Sequence, residues 1–281
     1  MIVITGSDGQ VGIELQKQLK KNRINYLALN KTKLNITSSK SIKNNFDNIK
    51  NLRVVINLAA FTNVEKCEDD LSPNYQVNFI GVKNICKYIK NRNILLVHIS
   101  TDYLFDGKKK CPYVEADITN PLNEYGKAKQ KAEIYIKKNI LSYVILRSSW
   151  IFSKHKSSFF NFIDNFHNKK LSLIDDIYGN PTSARSLSIA IISIIKKQLK
   201  KNNINYGIYH YCNHPPANWL DLGKFYMTVK RYNLSKLSNT KSNLLNLKAI
   251  RPKNSMLSSD KFEKEFQITK IYWKKEIRNF F

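Results

Sequence analysis

Paired cysteines, long apolar runs and acidic side chains are what this 281-residue chain has little of. Its four cysteines, Cys67, Cys86, Cys111 and Cys212, form no C-x-x-C pair and no metal-ligand spacing. A disulfide scaffold and a zinc module are thereby excluded, and a reducing, cytoplasmic compartment is the simplest expectation. Cys86 falls in an apolar periodic run and reads as core. The greasiest stretch, residues 189–195, contains Ser193 and runs into Lys196-Lys197. It is far short of the roughly 20 residues that cross a bilayer, so no membrane partner is expected. The chain opens directly on Ile2-Val3-Ile4, without a charged region before or a cleavage site after, which predicts no signal peptide. Internal repeats, low-complexity tracts and a Gly/Ser-rich linker are also missing, so any two parts of the molecule share a tight interface with a cleft.

The acidic deficit leaves 47 basic against 21 acidic residues, a formal charge of +26. Nucleic-acid binders gather such charge into an arm, patch or stripe. Here it is scattered in short runs such as Lys108-Lys109-Lys110 and Lys200-Lys201, in a chain also heavy in Asn and Ile. Biased lysine usage on solvated faces accounts for it. No nucleic-acid partner is expected, and a small anionic substrate suits the charge. With 42% hydrophobic and 11% aromatic residues the chain can bury a real core. Its length fits a large α/β domain, or one such domain and a smaller one.

Apolar runs of four to six residues alternate with segments of helical period, the pattern of a parallel sheet covered on both faces. Strands are expected at 2–5, 26–29, 54–58, 94–99 and 143–146. A helix over 10–21 repeats Val11, Leu15 and Leu19 every four residues. Ile42, Phe46 and Ile49 mark a second, Val77 to Ile89 a long third, and Pro121 opens a fourth. Five strand–helix repeats of this kind build a Rossmann-type doubly wound sheet over 1–150. Residues 151–281 read as a smaller substrate-binding part, with about 184–211 returning to the first sheet. That part holds a Phe-rich helix near 159–166, a turn at Gly179-Asn-Pro-Thr182, helices at 184–198 and 219–232, and a strand at 207–211. Residues 233–257 carry few order signals.

Gly6-Ser-Asp-Gly9-Gln-Val-Gly12 follows the first strand and opens the first helix. Such glycines allow a tight turn and close backbone approach to a pyrophosphate, which then sits at the helix N-terminus. An NAD-specific site carries an acid about 20 residues later to hold the ribose 2′-OH. Asn30-Lys31 stands there instead, and Lys31 can pair a 2′-phosphate. NADPH is expected, with NADH as the alternative. Small residues in Asn57-Leu-Ala-Ala60 leave room for the nucleotide across the sheet edge.

Tyr125 and Lys129 stand four residues apart, on one face of a helix. A phenol is a poor acid at neutral pH, its ordinary pKa being about 10. An ammonium beside it favours the phenolate and brings proton transfer into range, which suits donation to a carbonyl oxygen.

The motifs converge in order: Gly6 to Gly12, Asn57-Leu-Ala-Ala-Phe-Thr62, Val64-Glu65, Ser100-Thr-Asp-Tyr-Leu-Phe105, Tyr125-Gly-x-x-Lys129, Arg147-Ser-Ser-Trp150, Gly179-Asn-Pro-Thr182 and Arg251-Pro-Lys-Asn-Ser255. From residue 1 to about 270 the chain resembles the dTDP-4-dehydrorhamnose reductases, extended short-chain dehydrogenases of nucleotide-sugar metabolism. The resemblance implies NAD(P)H-dependent reduction of the C4 ketone of a dTDP-linked 6-deoxy-hexulose to dTDP-L-rhamnose, a precursor of surface polysaccharide. It implies Tyr125 as proton donor, Lys129 as its tuner on the nicotinamide ribose, and Thr101 orienting the ketone. Thr101, Asp102 and Trp150 match nucleotide-sugar positions, and Arg251 and Asn254 are implied to face the diphosphate or sugar. Gly9, Gln10, Val11, Asn35, Ile36, Ala60, Phe61 and Thr62 match cofactor positions.

The pattern also departs from the family. Asn35 replaces a frequent acid near the adenine, and Ile177 a Gln two residues before Gly179. Some members form metal-linked dimers through a glutamate shortly after the Pro-Thr motif. Ala184-Arg185-Ser186 stands there, although Glu14 matches another such carboxylate. One acid without its partner makes no Mg²⁺ site, so no metal and a monomer are expected, with a weak homodimer as the alternative. Two other readings stay open. One is a regulatory subunit resembling the methionine adenosyltransferase β subunit. The other is a nucleotide-sugar epimerase or dehydratase, although Tyr103 stands where dehydratases place the acid needed for elimination.

Overall fold

Runs rich in Val and Ile become strands, and the four-residue apolar repeats between them become helices. The computed structural model describes residues 1–155, 158–200 and 204–281, so Lys201 of the second lysine run lies outside the described residues. In the first half stand β1 (Ile2–Thr5), α1 (Gln10–Lys21), β2 (Tyr26–Leu29), α2 (Ser39–Asp47), β3 (Val54–Asn57), α3 (Val64–Asp69), α4 (Leu71–Tyr75), α5 (Val82–Ile89), β4 (Leu95–Thr101), α6 (Glu124–Asn139) and β5 (Tyr143–Ser148). The second half adds β6 (Ile151–Phe152), α7 (Ser158–Phe166), β7 (Leu171–Ile174), β8 (Tyr178–Gly179), β9 (Thr182–Ser183), α8 (Ala184–Leu199), β10 (Gly207–His210), β11 (Ala217–Asn218), α9 (Trp219–Val229), β12 (Leu237–Thr240), α10 (Asp260–Phe266) and α11 (Trp273–Phe280).

Six strands pair in parallel in the order β10-β5-β4-β3-β1-β2. The winding reverses between β1 and β3, and in a doubly wound sheet a ligand crevice opens at that point, outside the carboxyl ends of the strands. Strand residues alternate between the two faces. Ile2, Ile4, Val54, Ile56, Val97 and Leu146 pack with α1, α8 and α10 on one side. Val3, Val55, Leu96 and Ile145 pack under α2, α5 and α6 on the other. Burial on both faces is why the strands read as unbroken apolar runs.

A third cluster joins Phe160 and Ile163 of α7, Leu171 and Leu173 of β7, Tyr226 and Met227 of α9, and Trp273 and Ile277 of α11. Two expectations change here. The polar stretch 233–257 supplies β12, which pairs with β7; the partner strand decides this, since four polar-rich residues carry little β signal of their own. The helix expected from Val77 to Ile89 opens instead as a π-helical turn over Gln76–Gly81 and becomes α-helical only from Val82, with α4 as a further short helix before it.

One ion pair is fully enclosed between sheet and helix. Arg147 of β5 donates from Nη2 to Glu133 Oε2 of α6 at 2.7 Å and from Nε to Oε1 at 3.0 Å, with both side chains 4% exposed. His210 lies beside it, and burial together with the Arg147 charge pulls its pKa down to about 3. Removing one partner of such a pair strands the other charge. Glu133→Ala should therefore lower the unfolding free energy by about 3–5 kcal/mol in urea denaturation. A loss below about 1 kcal/mol, the worth of an exposed pair, would refute the reading.

Candidate active site

At the carboxyl ends of β1, β3, β4 and β5 lies a cleft of about 520 Å³, walled by the glycine loop on one side and by Trp150 and Trp219 on the other. Gly6 turns at φ +64°, and a Cβ there would come within 2.7 Å of the Ala59 backbone. Only glycine fits that approach. The helix that follows has no side-chain cap, which leaves its first N–H groups for an anion. Gln10 Oε1, Ser100 Oγ and Ser148 Oγ are buried in the cleft wall without a hydrogen-bond partner. Buried polar atoms left unmade are costly. An uncapped helix end and unpaired polar groups in one crevice fit a dinucleotide.

The proton chemistry comes from β4 and α6. β4 ends in Thr101, a 3-10 turn over Asp102–Leu104 follows, and α6 passes close by. Gly126 permits that approach, since a Cβ would stand 2.3 Å from the Tyr103 carbonyl oxygen. Asn123 caps α6, its Oδ1 accepting the Gly126 N–H at 2.8 Å, while its amide donates to the Ile250 carbonyl at 2.9 Å. Lys129, only 2% exposed, donates to the Ile99 carbonyl at 2.6 Å and lies 3.3 Å from His98 Nε2. Burial pulls its ammonium down to about 8, with Glu133 one turn along opposing.

The expectation that Lys129 lowers the phenol needs correcting. Burial pushes the Tyr125 pKa up, the Asp102 carboxylate adds to this, and a hydrogen bond with Thr101 opposes it. The physical reason is that the lysine nitrogen is committed to the Ile99 carbonyl while the carboxylate stands near the ring. In this state Tyr125 is firmly protonated at neutral pH, the form a proton donor requires.

Asp102, 3% exposed, accepts from Ser149 Oγ at 2.8 Å, Ser255 Oγ at 2.5 Å and Thr101 Oγ1 at 3.2 Å. Burial raises its carboxyl to about 6, and these hydroxyls restrain the rise. Through Ser255 the Arg-Pro-Lys-Asn-Ser motif reaches the site. Its other members do not line the cleft. Arg251 Nη2 pairs with Glu65 Oε1 at 2.7 Å, and Asn254 donates to the Lys109 carbonyl at 2.5 Å.

Of the other expected residues, Gly6, Gly9, Gln10, Val11, Gly12, Ala60, Thr62 and Trp150 line the cleft together with Thr101, Asp102, Tyr125 and Lys129. The second-strand group does not. Asn30 accepts from Thr32 Oγ1 at 2.8 Å and Asn35 from the Thr37 N–H at 3.0 Å, both shaping turns. Lys31 is exposed, Ile36 is core, and the Phe61 peptide is taken up by Asn78. Sequence reasoning missed Ser100, Ser148 and Trp219. The serines sit where a strand ends at the crevice, a signal that was available. Trp219, stacked on Trp150 at 3.8 Å, comes from α9 and left none. Glu14, matched to a metal carboxylate, accepts from Lys17 at 2.7 Å and lies 3.0 Å from His155 Nε2. Among the described residues no three His, Cys, Asp or Glu side chains converge as a metal site.

Residues 1–281 match the model of the RmlD substrate binding domain. This chain belongs to that family. Its RmlD-family relatives include the dTDP-4-dehydrorhamnose reductase of Aggregatibacter actinomycetemcomitans, 31% identical with 99% of this chain and 97% of that protein covered. The spore coat polysaccharide biosynthesis protein SpsK of Bacillus subtilis (strain 168) is 32% identical, with coverage of 99% and 96%. Among solved structures, a dTDP-4-dehydrorhamnose reductase from Clostridium acetobutylicum superposes with TM-score 0.91 at 30% identity, covering 99% of this chain and 97% of that one. A Bacillus anthracis dTDP-4-dehydrorhamnose reductase in complex with NADP also reaches 0.91, at 26% identity and the same coverage.

The buried carboxyl of this RmlD-family site makes stability depend on pH. Raised from 3.8 to about 6, Asp102 holds its proton more tightly in the folded chain. The stability this contributes, on the order of 3 kcal/mol, is complete below pH about 4 and is lost as pH rises through about 6. In denaturant melts from pH 4 to 7.5, wild type should lose this margin relative to Asp102→Asn, which has no proton to lose. A difference between the two that stays constant with pH would refute the assignment.

Proposed function

We propose that this chain reduces the C4 ketone of dTDP-4-dehydro-6-deoxy-L-mannose to dTDP-L-rhamnose, with NADPH or NADH as reductant. The observation that carries the reading is the meeting of Tyr125, Thr101 and Lys129 with the glycine loop in one cleft. Curated relatives named dTDP-4-dehydrorhamnose reductase, similar over nearly the whole chain, support it, as does the NADP-bound structure.

A reduced nicotinamide, when bound, supplies the hydride; Tyr125 and Lys129 would hold its ribose while the glycine loop takes the pyrophosphate. The chain's own residues manage the oxygen. As charge develops on the ketone oxygen, Tyr125 delivers its proton and Thr101 turns its one O–H from Asp102 to the ketone, acting where such donors contribute most. Lys129, with a pKa near 8, can restore the phenol proton near neutral pH. Asp102, on its three hydroxyls, keeps Thr101 and the Trp150 segment in register with the phenol. Trp150 walls the sugar end. Glu14 spent on Lys17 and His155 supports a metal-free monomer. No helix of the described residues is long and apolar enough to cross a membrane, and a cytoplasmic setting agrees with that and with four unpaired cysteines.

Mixing the protein with NADPH and the dTDP-keto-sugar should consume cofactor absorbance. Tyr125→Phe should lower kcat by roughly 10²- to 10⁴-fold while NADPH still binds. A variant keeping more than about a tenth of wild-type turnover would remove Tyr125 as the acid. No oxidation by wild type would leave the regulatory-subunit reading ahead.

A further inference from the structure

Two wholly buried asparagines take no part in the proton chemistry described above. Asn74 belongs to α4 and Asn78 to the π-helical turn, and both are 0% exposed. An enclosed amide must place its hydrogen bonds, so their course is informative. Asn78 Oδ1 accepts the Phe61 N–H at 3.1 Å, and Asn78 Nδ2 donates to the Phe61 carbonyl at 2.8 Å. The same Nδ2 donates its second hydrogen to Asn74 Oδ1 at 2.8 Å. Asn74 Nδ2 in turn donates to the Glu124 carbonyl at 2.8 Å. Each link along this path joins an N–H donor to an oxygen acceptor.

The two ends of the path are the two halves of the site. Phe61 stands between Ala60 and Thr62, which wall the cleft after β3, and Glu124 immediately precedes Tyr125. Glu124 is held from its other side as well, its N–H donating to Glu68 Oε1 at 2.8 Å and its carboxylate accepting from Tyr75 Oη at 3.1 Å. A π turn interrupts a helix and occurs often at functional sites; this one carries Asn78.

We infer that Asn74 and Asn78 are positioning residues, a buried amide bridge that sets the distance from the β3 loop to the Tyr125 phenol. The inference rests on the reductase reading above. Hydride must reach the carbon and the proton the oxygen of one carbonyl, so the loop after β3 and the phenol have to stay in register. Misplacement by about 1 Å costs as much as 100-fold in such a reaction.

The test uses Asn74→Ala, Asn78→Ala and the double variant. In the free protein, amide hydrogen exchange is followed by NMR. Asn74→Ala should speed exchange of the Phe61 amide about tenfold, although Asn74 does not touch Phe61. With NADPH and the keto-sugar, each single variant should lose about 10- to 100-fold in kcat with little change in the sugar KM. The isotope effect from deuterated NADPH should rise, and the double variant should be no slower than the worse single one. If Asn78→Ala does not fold, Asn74→Asp serves: it keeps the acceptor toward Asn78 and loses the donor to Glu124. An unchanged Phe61 exchange rate in Asn74→Ala would overturn the bridge. So would kcat and isotope effects equal to wild type in folded variants, or losses that multiply in the double variant. Wild type inactive toward the keto-sugar would sink the reductase reading instead, and the exchange measurement would still decide the bridge.

Discussion

The 2.6 Å hydrogen bond from Lys129 Nζ to the Ile99 carbonyl is the contact on which the site is built. It ties α6 to the end of β4, two residues before Thr101, and so places Tyr125, one helical turn earlier, near that strand's end. An ammonium with 2% of its surface exposed carries a heavy desolvation cost, visible in its lowered pKa. Without an acceptor such a group would drag water in or leave the interior. Ile99 lies one residue past the end of the β3–β4 pairing, and its carbonyl accepts the ammonium.

Near that bond the molecule sets one buried carboxylate by the phenol. Asp102 is held by hydroxyls from β4, from the segment before Trp150 and from Ser255, so three distant pieces of chain meet on a single carboxylate. Its field raises the phenol, and burial does the larger part. The outcome in the free protein is a tyrosine that keeps its proton. Reduction of a ketone needs that state before the hydride moves, and the cleft stores it by excluding water rather than by an adjacent cation.

The glycine loop and the Thr101, Tyr125 and Lys129 cluster belong to separate strand–helix units, and the sheet is what brings them together. Winding outward in both directions from between β1 and β3 leaves a gap in the helical cover at the carboxyl ends. The loop after β1 and the turn after β4 open on that gap. The aromatic wall comes from the second half of the chain, where Trp150 and Trp219 stack over a core of their own. The excess of lysine has no comparable place in the design. Among the described residues every lysine but Lys129 is partly or fully exposed, and the buried basic groups are Lys129 next to the site and Arg147 in the core ion pair.

The fold class was legible because parallel strands buried on both faces must be continuously apolar, as 2–4, 54–56 and 144–146 are. Gly6 to Gly12 and Tyr125 with Lys129 were legible because a nucleotide turn and a helix-borne acid are local patterns of fixed spacing. Long-range pairing was not. Arg251 looks like a ligand residue in its motif, yet Glu65 claims it; Ser255, the plainer neighbour, reaches Asp102. The direction of the Tyr125 shift could not be read either, since spacing alone says nothing of depth or of which acceptor a lysine finds. The sequence by itself determined which chemistry the chain carries and on which elements, through periodicity and local geometry. The tertiary structure decided which polar groups share a buried space, because desolvation and hydrogen-bond partners depend on contacts between residues far apart in the chain.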